Sequence, residues 1–388
     1  MTSLTRLVPV PGSPDFRIDW AGVEEALRGV VSVEALTATA QDPRFHAEGD
    51  VWLHTRLVVE ALVSDGGWRA LGEGDRAVSF VAALAHDVGK VFTTRADADG
   101  RLTARGHSRR GEQLVRRWLW ELGASFEERE LVCRLIRNHQ VPFHAFERED
   151  PPSLAARLSL GLRNDLLFLL ALADARGRRC AEPGTGAGLV EQCELYRELC
   201  RDEGVLEAPR AFATEHTRVV WREANGRRSP DVPVFDDTTC EVTVMSGLPA
   251  SGKNYWLEKQ RPGLEVVSLD ALRELHEIDP AGDQGWIVRE AREAARRHLR
   301  EGRPFAWNAT NLSEDLRAQV IELARAYKAR VHLVYCESGP AELVARNGAR
   351  TRPVPASAMK RMLQRWSVPW PDEAHRVTYA VSLHHSPA

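Results

Sequence analysis

The chain has 388 residues, 43% of them hydrophobic, with a formal charge of −3 and a pI near 6.5. At roughly 100–200 residues per domain this length predicts two or three domains, and the apolar share excludes a disordered chain. The charge excludes a global basic signature, so any polynucleotide contact has to be local, through clustered arginines.

The first half reads as helices. In TRLVVEALV, AVSFVAALAHDVG, RRGEQLVRRWLWEL, ERELVCRLIRNH and SLAARLSLGLRNDLLFLLALADA apolar residues recur at three- and four-residue steps, and no alternating strand pattern competes. The glycines and prolines of 175–188 predict a loop, and LVEQCELYRELCRDEG one more helix. The turn-rich stretch 225–239 is the expected domain boundary. Beyond it EVTVMSG, LEVVSLD, PFAWNATN, RVHLVYCE and VTYAVS read as strands, separated by SGKNYWLEKQ, GWIVREAREAARRHLREG, SEDLRAQVIELARAYK and PASAMKRMLQRW as helices. That alternation predicts a mainly parallel α/β sheet. The expected organisation is a helical bundle over 1–205 with its core at about 50–180, a connector over 206–238, and an α/β domain over 239–388.

The longest apolar run, DLLFLLALADA, is about half of the ~20 residues that span a bilayer. MTSLTRLVPVPGSPDF has no apolar segment of the kind a secretion signal carries. Six cysteines without a C-x-x-C pair read as free thiols. A cytoplasmic protein without membrane association is expected.

The bundle carries a spaced histidine–aspartate set. LAHDVGK holds His86 and Asp87, with Lys90 one turn on; His54 lies upstream, and His107, His139 and Asp174 follow. Imidazoles and carboxylates on several helices can converge on a divalent metal in a bundle core. Adjacent His and Asp diverge around a helix and serve one ion only where it sits in the angle between them, so the ordered set carries more weight than the dyad. His144 is placed in a loop, and His46, His216 and His276 belong to no constellation.

This set resembles the HD phosphohydrolase superfamily over roughly 50–180, and DGRLTARGHSRRGEQLV is similar to the HD domains attached to tRNA nucleotidyltransferases. The resemblance implies that His54, His86, Asp87 and Asp174 ligate one divalent transition metal such as Mn²⁺. It also implies that His107 and His139 complete a second site or bind the scissile phosphate, and that Lys90 binds phosphate.

GLPASGKN, residues 247–254, follows one expected strand and opens a helix, the context in which backbone N–H groups and a helix N-terminus converge on phosphates. Gly247 and Gly252 permit the turn, Ser251 lies in the loop, and Lys253 can reach the β- and γ-phosphates of ATP. Asn254 stands where Ser or Thr usually touches Mg²⁺, and its amide oxygen is a hard ligand of the sort Mg²⁺ accepts. Asp270 at the end of the second strand can take a proton from an attacking hydroxyl, with Arg273 one turn on. Asn308, Thr310 and Asn311 sit at the third strand's end. Arg346 and Arg350, four apart and hence on one helical face, followed by Arg352, suit a lid that neutralises a transferring phosphoryl group.

These motifs resemble the kinase module of the phage-type 5′-OH polynucleotide kinase family over 239–388. The resemblance implies that Lys253 binds ATP phosphates, Asp270 activates a 5′-hydroxyl, Arg273 holds the acceptor's 3′-phosphate and Arg350 contacts the donor. Asn254, and Leu269 before Asp270, depart from that family's pattern. The whole chain is similar to bacterial HD-type polynucleotide kinases. That implies hydrolysis of 2′,3′-cyclic phosphate and 2′-phosphate ends in one half and ATP- and Mg²⁺-dependent phosphorylation of 5′-OH RNA or DNA ends in the other, with an RNA ligase acting afterwards. An HD nucleotidase joined to a small-molecule kinase, and a nucleotide-sensing regulator disabled by Asn254, stay open beside it.

Overall fold

Helices form in the first half because its apolar residues recur at helical spacing, and they are capped where that spacing stops. The computed structural model describes residues 2–182, 184–277 and 285–382, in two units, Met1–Arg210 and Ala211–Ala388. In the first, Asp50 accepts from the Leu53 N–H to start helix Val51–Ser64. Ser125 caps helix Phe126–Asn138 by accepting from the Glu128 N–H, while its own hydroxyl donates to the Glu128 carboxylate and its N–H to the Ser3 hydroxyl. Helix Asn164–Gly177 is buried from Leu166 through Ala175. A helix apolar all round has to lie inside, and this one packs on Val51–Ser64, Glu73–Ala85 and Thr185–Asp202.

One expected long helix is two, Pro151–Ser159 and Asn164–Gly177. The buried Asn164 amide interrupts it by donating to the Ala155 and Val205 carbonyls while accepting from the Tyr196 hydroxyl. A short antiparallel hairpin, β1 (Arg95–Ala96) and β2 (Leu102–Thr103), precedes helix His107–Glu121. That helix is fastened to Phe126–Asn138 by a buried charge cluster, in which Arg116 meets Glu130 at 2.9 Å and Glu112 at 2.7 Å. Burial pushes the Glu130 carboxyl up, but Arg116 and Arg129 override it and hold it at about 2.

In the second unit five parallel strands form one sheet in the order β4-β5-β3-β6-β7. They are β3 (Cys240–Ser246), β4 (Val266–Ser268), β5 (Phe305–Asn308), β6 (Ala329–Glu337) and β7 (Arg376–Val381). Alternation along the strands feeds two cores. Val242, Val244, Phe305, Trp307, Val331 and Leu333 pack with Ala291, Ala295, Leu299, Val320 and Ile321 of helices Gly285–Arg300 and Glu314–Ala326. Met245, Ala306, Val334 and Cys336 pack with Leu257 of helix Lys253–Gln260. The sheet centre is thus covered on both faces, as parallel sheets require.

Residues 211–238, read above as connector, belong to this unit and contain helix Glu215–Glu223. Its Arg218 donates to the Ala374 and His375 carbonyls and its Arg222 to that of Asp372. All six cysteines are free. No helix among the described residues is long and apolar enough to cross a membrane.

Arg116→Met leaves Glu130 and Glu112 buried beside one cation fewer. It should cost about 3–5 kcal/mol, read as a lower urea midpoint for the helical unit by tryptophan fluorescence, with Trp118 and Trp120 on the affected helix.

Candidate active sites

In the helical unit the sequence-predicted ligands meet around Asp87, just past the end of helix Glu73–Ala85. Its Oδ2 lies 2.7 Å from Lys90 Nζ, 3.2 Å from His86 Nε2 and 3.6 Å from His54 Nε2. Its Oδ1 lies 3.4 Å from His107 Nε2 and 3.9 Å from His139 Nε2. Asp174 closes the ring, with Oδ1 3.2 Å from His54 Nε2. Four overlapping sets among the described residues have metal-ligand spacing: His54, His86 and Asp87; His86, His139 and Asp174; Asp87, His107 and His139; and His46, Glu48 and His54.

The histidines are oriented for this. His86, His107 and His139 each donate Nδ1–H to a backbone carbonyl at 2.8 Å, of Ala83, Ala104 and Ile136. Each Nε2 is thereby turned toward the centre. His54 Nε2, His86 Nε2 and Asp87 Oδ1 are buried without a hydrogen-bond partner, an arrangement that is costly unless a further group satisfies them. A divalent metal fits that requirement and this N/O donor set. Gly89 lets the parts approach, since a Cβ there would lie 2.1 Å from the His107 carbonyl oxygen.

Burial raises the Asp87 carboxyl, but Lys90 and His86 override it and hold it well below the usual range. Asp174 is lowered in the same way by Arg178, which donates to both its oxygens at 2.9 and 2.8 Å. Burial carries His139 down to about 3, helped by the charges of His86 and His107.

Lys90, expected to bind phosphate, is buried with its ammonium on Asp87, on Gln41 Oε1 at 2.7 Å and 3.4 Å from His46 Nε2. His46 was expected outside any constellation, yet it is buried against this site with Nδ1 2.9 Å from Glu48 Oε1. Glu48 was missed. Its carboxylate has no exposed side-chain surface, lies 2.8 Å from His54 Nδ1, and accepts from the Arg179 N–H at 2.9 Å. Arg178, four residues after Asp174, could have been found from that spacing; Glu48 and His46 had no periodic pattern to mark them. His144 ends a short helix and points to Glu147.

In the second unit the loop after β3 turns through positive φ at Gly247, Ala250 and Gly252 before helix Lys253–Gln260. A Cβ on Gly247 would lie 2.3 Å from the Cys336 carbonyl oxygen, so the turn needs glycine there. Lys253 donates to the carbonyls of Gly247 and Leu248 at 2.9 and 2.8 Å. Burial lowers its ammonium to about 8, with Cys336 and Asp270 opposing. Ser251 is buried inside the loop.

The stretch after β5 fastens this loop from below. Gly247 N–H donates to Thr310 O, the Ser246 hydroxyl to Asn311 O, and the Asn311 amide to Met245 O. Asn308 donates to Asn254 Oδ1 at 2.8 Å.

β4 ends at Ser268, not Asp270, because Ser268 caps a helix, Leu269–Leu275, whose first turn carries Asp270. Asp270 is exposed and bonded to Arg273, with Arg350 Nη2 4.0 Å away. The helix bearing Arg346 ends at Gly348, so Arg350 lies beyond it rather than on one helical face with Arg346. The chain folds back because the Asn347 amide bonds both ways with Val354. Arg346, paired with Glu342, still overhangs the loop: a Cβ on Gly252 would lie 3.5 Å from its Nη1. Arg352 is exposed beyond both.

Glu48→Gln should weaken Mn²⁺ binding by about 10–100-fold, measured by titration of the full chain with the metal and followed by electron paramagnetic resonance. With Lys253 at about 8 in the free loop, polyphosphate favours its charged form. ATP binding at pH 8.5 should therefore take up protons, seen as a binding heat that varies with buffer ionisation enthalpy, and Lys253→Met should abolish the variation.

Residues 52–175 match the HD domain family and residues 242–369 an AAA domain family. The multifunctional CCA protein of Shewanella frigidimarina (strain NCIMB 400) is 32% identical over 117 residues, 30% of this chain and 25% of that protein, so the shared region spans about a quarter of that relative. Among solved structures, a Chloroflexus aurantiacus j-10-fl protein described as a kinase is 17% identical, over 37% of this chain and 89% of that one, with a TM-score of 0.32. Chaetomium thermophilum Kti12 is 18% identical over 36% and 88%, with a TM-score of 0.29. The chain joins an N-terminal helical HD domain to a C-terminal P-loop α/β domain with a five-stranded parallel sheet.

Proposed function

We propose that this chain heals nucleic-acid ends, its P-loop domain phosphorylating 5′-hydroxyls of RNA or DNA with ATP and Mg²⁺, and its HD domain hydrolysing 2′,3′-cyclic phosphates and 2′-phosphates. Cleavage of the ribonuclease type leaves a cyclic phosphate on one end and a 5′-hydroxyl on the other. Joining them, by an RNA ligase acting afterwards, needs both altered. The observation that carries the reading is the exposed Asp270 carboxylate between Arg273 and Arg350 beside the Lys253 loop. A small-molecule acceptor needs no second cation beside the base, whereas an acceptor strand brings a phosphate of its own for Arg273 to hold.

In the kinase step Asp270 takes the proton of the 5′-hydroxyl as its oxygen forms the new bond to the γ-phosphorus and the bond to ADP breaks. Lys253 spans the donor phosphates, and Arg346 and Arg350 offset the charge that spreads over the transferring group. Asn254, whose Oδ1 accepts from Asn308, would be the residue to offer an amide oxygen to Mg²⁺. In the HD domain His54, His86, Asp87 and Asp174 would hold one divalent metal, with His107 and His139 beside Asp87 for a second or for the phosphate. Such a metal supplies Lewis acidity toward a phosphoryl oxygen and water of lowered pKa. Lys90 holds Asp87, and the backbone carbonyls hold the imidazoles in the ligating orientation.

The test is transfer of labelled γ-phosphate from ATP to a short single-stranded RNA with a 5′-hydroxyl. Asp270→Ala should lower it by about 10²–10⁴-fold while cyclic-phosphate hydrolysis persists, and Asp87→Ala should do the reverse. Loss of both activities in either folded variant contradicts two separate sites. ATP binding without transfer to RNA overturns the polynucleotide reading.

A further inference from the structure

Above the HD ligands the helical unit opens into a cavity of about 460 Å³, within the range of small-ligand sites. Lys90, His107, Phe45 and Arg105 are among the residues that line it. The Phe45 wall is built from residues 40–48, which precede the HD match at 52.

The segment is tied down. Ala47 N–H donates to Arg179 O and Ala181 N–H to Arg44 O, so its backbone is stitched to the chain just beyond Asp174. The Arg44 guanidinium is forked onto Asp42 at 3.1 Å to each oxygen and sits over the Phe45 ring, 5.5 Å from its centroid. Even so Phe45 remains 43% exposed. A lone exposed phenylalanine is ordinary. A phenylalanine on a fastened loop, lining the same cavity as Lys90 and His107, offers a flat apolar face in the space that a substrate of those groups would enter. Aromatic faces of this kind take nucleobases without regard to sequence.

We infer that Phe45 is a base seat: the terminal nucleobase of a ribonucleotide end stacks on it while the ribose phosphoester reaches Asp87 and its neighbours. This rests on the end-healing reading of the HD domain and adds to it the residue that selects a nucleotide over a bare phosphoester. Arg105, exposed and lining the same cavity, supplies positive charge toward the phosphate of the strand.

The experiment compares KM and kcat of the full chain with Mn²⁺ on adenosine 2′,3′-cyclic phosphate and on the same cyclic phosphate of 1-O-methyl ribose, which has no base. The wild type should show a KM about tenfold lower for the adenosine substrate. Phe45→Ala should bring the two KM values together, and Phe45→Trp should restore the preference, which separates a lost stack from a damaged fold. A base preference that survives Phe45→Ala, or a preference that Phe45→Trp fails to restore, overturns the seat. A wild type that hydrolyses both substrates without preference overturns the seat alone, and one that hydrolyses neither overturns the end-healing reading along with it.

Discussion

A carboxylate with almost no exposed surface must be neutralised by its surroundings, and Asp87 is faced by cationic and imidazole groups from several separate elements. Helix Val51–Ser64 brings His54, helix His107–Glu121 opens on His107, and helix Phe126–Asn138 ends on His139. The bundle's packing answers to this one charge. Gly89 is there so that His107 can come close, and the Arg116–Glu130 cluster fixes the pair of helices that deliver His107 and His139. Buried ionic groups are expensive to assemble, and here the expense falls on residues that leave imidazole lone pairs and a carboxylate oxygen directed at one point.

The second unit reaches a comparable precision by other means. Its loop is held directly by the backbone of the neighbouring strand end rather than by charged side chains. Thr310 and Asn311 hold residues 245–247 from one side, and glycine at 247 lets Cys336 close in from the other. The groups that would act on a substrate stay at the surface by contrast: Asp270 is exposed and Arg350 half-exposed. Rigid backbone beneath and solvated side chains above suit a site that must admit a ligand and release it.

Much of this could be read from residue order. The His–Asp set was legible because such residues are rare inside apolar helical patterns, and the phosphate loop because its glycines, lysine and flanking strand occur together. What escaped reading lies where periodicity is absent. Glu48, His46 and Gln41 sit in a stretch of turns, RFHAEGD and its neighbours, where a carboxylate looks solvated, and only the fold reveals it against His54. The helix break at Asn164 depends on carbonyls distant in sequence. The early end of the Arg346 helix depends on Val354, and the Glu215–Glu223 helix was hidden among prolines and glycines.

Arg317 has no exposed side-chain surface, and Glu373 answers its charge while the Ser367 and Asn311 carbonyls accept from it. Asn311 is also the residue that props the phosphate loop. Glu373 and the outer strand β7 both lie past residue 369, where the family match stops, and helix Glu215–Glu223 clasps residues 372–375 from the other end of the unit. An excised fragment of this unit cut to the limits of sequence similarity would strand an interior guanidinium next to the phosphate loop. The autonomous piece therefore begins near 211 and keeps β7, about thirty residues earlier and a dozen later than kinship alone would draw it.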